Sequence, residues 1–220
     1  MPSQRPVRLD LVHDFVCARS YLAFTRARRA LETVRAEGQG AELVLRPFQV
    51  RPDASPEGEP LFEVHRRDRG EETARRIRAD TTTGREDGLR LRFGHAVFTN
   101  TFAAHHLLAR AAPQGLALPV AERLFRAYFT DGLNIADPAV LARLAAETGV
   151  DTGTGHTDLT DLTGHLRDEL ARTRTLGSET GPAFFLDGRP VLGEEPTEKE
   201  LLTLLRGSPA EVNRSGPQAG

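Results

Sequence analysis

Residues 17 to 20 read Cys17-Ala18-Arg19-Ser20, a thiol followed at the fourth position by a hydroxyl. Two cysteines at this spacing make the dithiol of disulfide-exchange enzymes, but here Cys17 is the only cysteine in the chain. A lone thiolate attacks a disulfide and forms a mixed disulfide, and a thiol from outside must then release it. Arg19 and Ser20 are candidates to donate hydrogen bonds to that thiolate. His13, four residues upstream, is a candidate for proton transfer; a strand residue facing solvent or neighbouring helices is the other reading. Asp14 is a candidate for the site or a surface carboxylate. The chain has seven histidines, but His105 and His106 are adjacent and no pair has H-x-x-x-H spacing. No metal site is expected.

The elements around Cys17 decide whether that chemistry is available. Residues 7–16 put Val7, Leu9 and Leu11 on one face and end in an apolar run, as a largely buried strand does. From Ser20 the apolar positions Tyr21, Phe24, Ala27, Leu31 and Val34 recur at helical spacing until Gly38 and Gly40. Cys17 therefore falls at a strand-to-helix junction. Unpaired N–H groups and the positive end of the helix dipole make thiols there ionise more readily, which is the behaviour expected of Cys17 if it is a working site. The other reading is a small buried hydrophobe. Residues 42–50 form a second strand, giving a βαβ unit, and the polar stretch 51–60 reads as a loop.

From 61 to 150 the patterns are helical. The six arginines between Arg66 and Arg78 alternate with acids and read as a solvated helix face. Asp137, Pro138 and Gly149 mark a helix as N-cap, first residue and C′ position. A further helix over 158–176 carries Leu159, Leu162, Leu166 and Leu170 on one face and ends at Gly177. Residues 182–193 read as a hairpin turning at Asp187-Gly188. Thr197 and Glu200 form a capping box for a last helix through Leu205. The expected organisation is 1–60 and 177–206 as the two parts of one α/β fold, 61–176 as an inserted helical domain with its connecting helix, and 207–220 as a disordered tail.

Composition narrows the setting. The formal charge is −2, so neither nucleic acid nor an anionic membrane is an expected partner. Lys199 is the only lysine, and the arginine excess reads as genomic style. There is no apolar leader and no run long enough to span a membrane, and with one cysteine no internal disulfide, so a reducing cytoplasm is expected.

The stretches DFVCARSYL, RPFQVRPDASPEG, NTFAAHHLLARAA, LFRAYFTDGLNIADPAVLARLAAETGVD and LGSETGPAFFLDGRPVLGEEP, in this order over about residues 7–206, resemble the DsbA-like family. The resemblance includes its FrnE subgroup and the related 2-hydroxychromene-2-carboxylate isomerases and kappa-class glutathione transferases. It implies a thioredoxin fold, βαβ then ββα, with an all-α insertion. The family commonly carries C-x-x-C, so Cys17 is oxidoreductase-like while the stretch from Ala18 through Ser20 to Phe24 is isomerase-like. By resemblance Pro182 is the cis-proline beside the active thiol, with Gly181 standing where Val or Thr is usual. Asp14 takes the acidic position before the loop. Asn100 and Phe102 are candidates to line the cleft between the two parts, Phe102 also as core. Glu195 is a candidate to hold the ammonium of a γ-glutamyl group, or a solvated loop acid. Three functions are implied as expectations: a monothiol oxidoreductase using glutathione or mycothiol as co-substrate, with no tightly bound cofactor; a thiol-dependent isomerase or transferase for an aromatic, polyketide-type molecule; and a non-catalytic binding or chaperone-like protein. Client protein thiols and a homodimer stay open.

Overall fold

In a computed structural model of the protein, residues 6–153, 159–176, 181–186, 188–192 and 195–207 are described. Strand β1 (Val7–His13) leads through a turn into α1 (Ala18–Ala36), followed by β2 (Ala41–Pro47). The helical insertion begins with a two-residue strand β3 (Glu59–Pro60), α2 (Leu61–Arg69) and α3 (Glu71–Ala79). It continues through β4 (Val97–Phe98), α4 (Phe102–Ala111), a 3₁₀ turn at Ala112–Gln114, α5 (Ala117–Phe129) and α6 (Pro138–Thr148). Helix α7 (Leu159–Thr175) returns to the sheet, and β5 (Ala183–Leu186), β6 (Arg189–Leu192) and α8 (Glu198–Leu205) complete the order of elements.

The main sheet has the order β2-β1-β5-β6. β1 and β2 are parallel, with Leu9 opposite Leu43 and Leu11 opposite Leu45, and β5 and β6 are antiparallel to their neighbours. A parallel pair needs a crossover, and α1 supplies it. Alternation along β1 sends Leu9 and Leu11 into the main core and Val12 into a second cluster with Phe48 and Phe185. Helix α1 packs on α8. Helix α7 joins β2 through the Thr173 hydroxyl, which donates to the Pro47 carbonyl at 2.6 Å. Arg46 on β2 pairs with Asp10 at 3.3 Å and with Glu169 on α7. This is the thioredoxin architecture with helices inserted, as the order of patterns implies. Buried side chains of both parts form one continuous cluster, joined where Tyr21 stacks on Phe125 with 4.8 Å between centroids.

Local chemistry sets the helix ends. The Asp137 carboxyl accepts from the N–H groups of Ala139 and Val140, Pro138 opens α6, and Gly149 closes it at φ +74°. The reciprocal Thr197–Glu200 capping box opens α8. β1 stops at His13 rather than residue 16 because the chain turns there, with the Cys17 N–H bonded to the Asp14 carbonyl at 3.1 Å. The β3–β4 pair falls where only loop and helix are expected from the sequence. Two residues are too few to show a period of two, and Gly58 sets their approach: at φ +77° it leaves no room for a Cβ, which would lie 2.6 Å from Val97 Cγ1. Gly177, Asp187, Gly193, Glu194 and the tail from 208 lie outside the described residues.

Candidate functional site

Cys17 is the N-cap of α1, with extended backbone angles (φ −98°, ψ 115°) and its carbonyl accepting from the Tyr21 N–H at 3.2 Å. Its side chain makes no capping hydrogen bond and is half-buried. Ser20 lies one turn further on and is 1 % exposed. Its hydroxyl accepts from the Asp14 N–H at 3.3 Å, so it braces the turn from inside. The sequence makes Ser20 a candidate donor to the thiolate; its described hydrogen bond is one it accepts from the backbone of the turn, a bond that does not use the hydroxyl's own hydrogen.

Asp14 is also 1 % exposed. One carboxyl oxygen accepts from the Val50 N–H at 2.6 Å, holding the segment after β2 against the turn, and the other lies 3.7 Å from His105 Nε2. That nitrogen is 2.9 Å from the Phe48 carbonyl. A carbonyl only accepts, so His105 carries a proton on Nε2. By the same argument His13 carries its proton on Nδ1, which is 3.0 Å from the Arg46 carbonyl. His13 is buried rather than facing solvent, its ring edge-on to Phe15 and 5.2 Å from that of His105. Burial, aided by His105, lowers its pKa to about 3, so it is neutral at ordinary pH. Tyr128 is fully buried in the same core, and burial together with Asp14 and Cys17 raises its pKa.

On its open side Cys17 borders a cleft of about 300 Å³. The floor is apolar: Leu61, Val64, Phe93, Phe98 and Phe129, all buried, with Val16 and Ile77 half-buried beside them. The rim carries Arg19, Arg51, His65, Asp68 and Arg69. Arg51 and Asp68 form an ion pair across the cleft edge, joining the segment after β2 to α2. Burial and then Arg69 lower the His65 pKa. The β3–β4 pair positions this cleft, since Phe98 and Leu61 flank it. None of the rim residues after Arg19 is evident from sequence alone. Leu61, Val64, His65 and Asp68 keep helical spacing, but nothing in that pattern tells which face meets Cys17. The arginine run is mostly the solvated face expected, with Arg66 paired to Glu63 and Arg75 to Glu71. Arg69 departs from it by lining the cleft.

Other expected residues are placed elsewhere. Asn100 ties loops together: its Oδ1 accepts from Gln49 Nε2 at 3.2 Å and the Phe102 N–H at 2.9 Å, and its Nδ2 donates to the Pro52 carbonyl at 2.8 Å. Phe102 borders a separate cavity of about 390 Å³ between α4 and α6. Glu195 is exposed and acts on Arg26, whose pKa is raised first by its hydrogen bond to Asp87 and further by Glu195. The cis-proline role is corrected: among the described residues every peptide bond is trans, Gly181–Pro182 included, which is the intrinsic preference of an X-Pro bond. Gly181 lies against Arg19. A Cβ there would lie 3.0 Å from the Arg19 guanidinium, so the missing side chain is where that guanidinium sits. No group of residues with metal-ligand character occurs among the described residues.

A thiol at the N-cap of the helix after β1, in a thioredoxin sheet with a helical insertion, fits a DsbA-like protein, and the family model for the DSBA-like thioredoxin domain matches residues 8–202. The chain belongs to that family. A Streptomyces coelicolor structure described as a probable DsbA oxidoreductase is similar at 22% identity over 97% of this chain and 94% of that one, with a TM-score of 0.78. The cytosolic disulfide reductase DsbM of Pseudomonas aeruginosa, with GSH, matches at 21% identity over 90% and 97%, TM-score 0.56. A 2-hydroxychromene-2-carboxylate isomerase matches at 14% over 90% and 92%, TM-score 0.57. At these identities the likeness concerns the fold. No curated protein sequence matches the chain. Among the described residues no helix is long and apolar enough to cross a membrane.

Proposed function

We propose that this chain, a DsbA-like protein of the FrnE kind, exchanges disulfides through Cys17 alone and takes its second thiol from a small molecule such as glutathione or mycothiol. The observation that carries the reading is the pairing of a half-buried N-cap thiol at a cleft edge with a Ser20 hydroxyl turned into the protein. In the first step the Cys17 thiolate attacks one sulfur of RS–SR′. The Cys17–S–S–R bond forms, the RS–SR′ bond breaks, and R′S⁻ leaves to take a proton from water. In the second step a thiolate R″S⁻ attacks the R sulfur, R–S–S–R″ departs, and the Cys17 thiolate returns. Each bond made matches one broken, and the protein is neither oxidised nor reduced overall. A chain with one cysteine cannot complete an internal dithiol oxidation. The cytosolic, glutathione-bound character of the DsbM neighbour supports a small thiol and a cytoplasmic setting.

The apolar floor of the cleft favours a second reading, in which the bound small thiol adds to a conjugated aromatic substrate while Cys17, at the cleft edge, orients it and Ser20 only braces the turn. Intact mass after incubation with oxidised glutathione separates the two. The exchange reading expects one adduct per chain, absent in Cys17→Ser. A chain whose Cys17 is alkylated by iodoacetamide yet takes no adduct would overturn it in favour of the second.

A further inference from the structure

Disulfide exchange also moves a proton: the attacking thiol must lose one and the leaving thiolate must gain one. The histidine nearest Cys17 in sequence does not serve, because His13 is buried and its Nδ1 proton is held by the Arg46 carbonyl. On the cleft rim Asp68 is paired with Arg51, and an arginine does not release its proton. That leaves His65. It lines the same cleft of about 300 Å³ as Cys17 and is half-buried, as Cys17 is. Leu61, Val64 and Asp68 share its helical stripe, so α2 turns this one face to the cleft. Its ring has no hydrogen-bond partner among the described residues. A cleft this small brings a molecule bound at Cys17 against the other walls, of which the His65 ring is one. The charged groups bordering it are Arg69 and Asp68 on α2, Arg51 after β2, and Cys17 and Arg19 at the start of α1; α3, β4 and α5 bring only Ile77, Phe98 and Phe129. Burial and then Arg69 disfavour the charged ring and outweigh Asp68, so at neutral pH His65 is free to take a proton.

We propose that His65 is the proton carrier of the Cys17 reaction, taking the thiol's proton as that sulfur attacks and returning it to the sulfur that leaves. The inference rests on the exchange reading and supplies from within the cleft the proton that otherwise comes from water. In the first half, neutral His65 accepts the Cys17 proton, the Cys17–S–S–R bond forms, the RS–SR′ bond breaks, and R′S⁻ takes the proton from the imidazolium to leave as R′SH. In the second half the entering R″SH gives its proton to His65, R–S–S–R″ forms, the bond between Cys17 and the R sulfur breaks, and the Cys17 sulfur takes the proton back. His65 is neutral at the start and end of each half, and every bond made matches one broken. General acid–base assistance of this kind is worth about 10²–10⁴-fold.

The test is the rate at which the full chain forms its adduct with oxidised glutathione, followed by intact mass between pH 5.5 and 9.5. In the parent the rate should be nearly level across neutral pH and fall only on the acid side of 6.5, where the ring charges. His65→Gln keeps a polar side chain that cannot carry the proton, so at pH 7 its rate should be at least about tenfold lower. It should then rise with pH as the thiol ionises unaided and come within about threefold of the parent at pH 9.5. His65→Asn should give the same profile, while Arg66→Gln, an exposed residue of the same helix paired with Glu63, should keep the parent's. A residue that only shapes the cleft lowers the rate equally at every pH, so variant profiles parallel to the parent's, whatever their height, would overturn the proposal. Iodoacetamide separates this outcome from failure of the exchange reading, because iodide leaves without a proton. If the parent forms no glutathione adduct at any pH, the exchange reading fails, and alkylation still decides whether His65 takes the Cys17 proton: its profile changes shape in His65→Gln if so and stays parallel if not. If the adduct forms and the His65→Gln profiles are parallel, exchange stands and the carrier is not His65.

Discussion

Behind Cys17, Ser20, Asp14 and His105 are each 1 % exposed and bond to the backbone of the turn (Ser20) or of the segment after β2 (Asp14 and His105), whereas in front of it arginines stand at the rim of an apolar floor. The closed side fixes where the thiol sits. A change there leaves a buried donor or acceptor unsatisfied, at a cost of about 1–3 kcal/mol. The open side is the face from which a molecule reaches the thiol, and its exposed pair, Arg51 with Asp68, is worth about 1 kcal/mol or less. The residues that hold the thiol in place and those that border its open side are therefore different, and variants can address them one at a time.

The largest effect expected is on the closed side and takes the form of pH dependence. His13 has its folded pKa lowered to about 3 from an ordinary 6.5. Between those values the unfolded chain binds the proton and the folded one does not, so the stability contribution is full above pH 6.5 and is lost as pH falls toward 3. The slope from this one residue approaches 1.4 kcal/mol per pH unit at most, roughly. Urea unfolding at pH 7, 6, 5 and 4 checks it. His13→Asn keeps a donor for the Arg46 carbonyl and should flatten the curve, even if it is less stable at pH 7. A variant curve parallel to the parent's would rule His13 out as the cause.

A smaller effect is expected from giving the closed side a thiol. Ser20→Cys places a second sulfur one turn from Cys17, within the separation a disulfide can span. If the scaffold remains that of a dithiol enzyme, the pair resolves its own mixed disulfide and insulin reduction rises about tenfold or more over the parent. Adding Cys17→Ser should abolish the gain. A Ser20→Cys protein that forms the internal disulfide, shown by mass, with no rise in exchange would favour the isomerase reading over the oxidoreductase one.

How much of this is legible in the sequence depends on the range of the interaction. The caps of α6 and α8 are set by residues within one turn of each other, and the residues named from the sequence are the ones that bond. The junction at Cys17 is legible for the same reason, since a period of two gives way to a helical one there. The Asp14–His105 approach joins residues of β1's end and α4, distant in sequence, and His13 reads as a strand residue until both faces of β1 are seen to be covered. Arg69 is hidden differently. It lies in a run of arginines whose other members are solvated, and only the placement of α2 beside Cys17 separates it from them.

The smallest effect expected is at Gly181, and it tests whether the two sides communicate through Arg19. A Cβ at this position would come within 3.0 to 3.4 Å of three atoms of the Arg19 guanidinium. The obstacle is the far end of a flexible side chain, so Gly181→Ala should be tolerated, with a change in stability within about 0.5 kcal/mol. The part that moves is the guanidinium. It would be pushed from its place beside Gly181 while Arg69, on α2, stays where it is. The rate of Cys17 alkylation by iodoacetamide should then change by no more than about twofold, because Ser20 and Asp14, not Arg19, brace the turn that places the thiol. Gly181→Val, with a larger side chain, should shift Arg19 further and still spare that rate. If either variant instead slows alkylation several-fold with the fold intact, Arg19 acts on the thiol, and the segment at Gly181 reaches Cys17 through it.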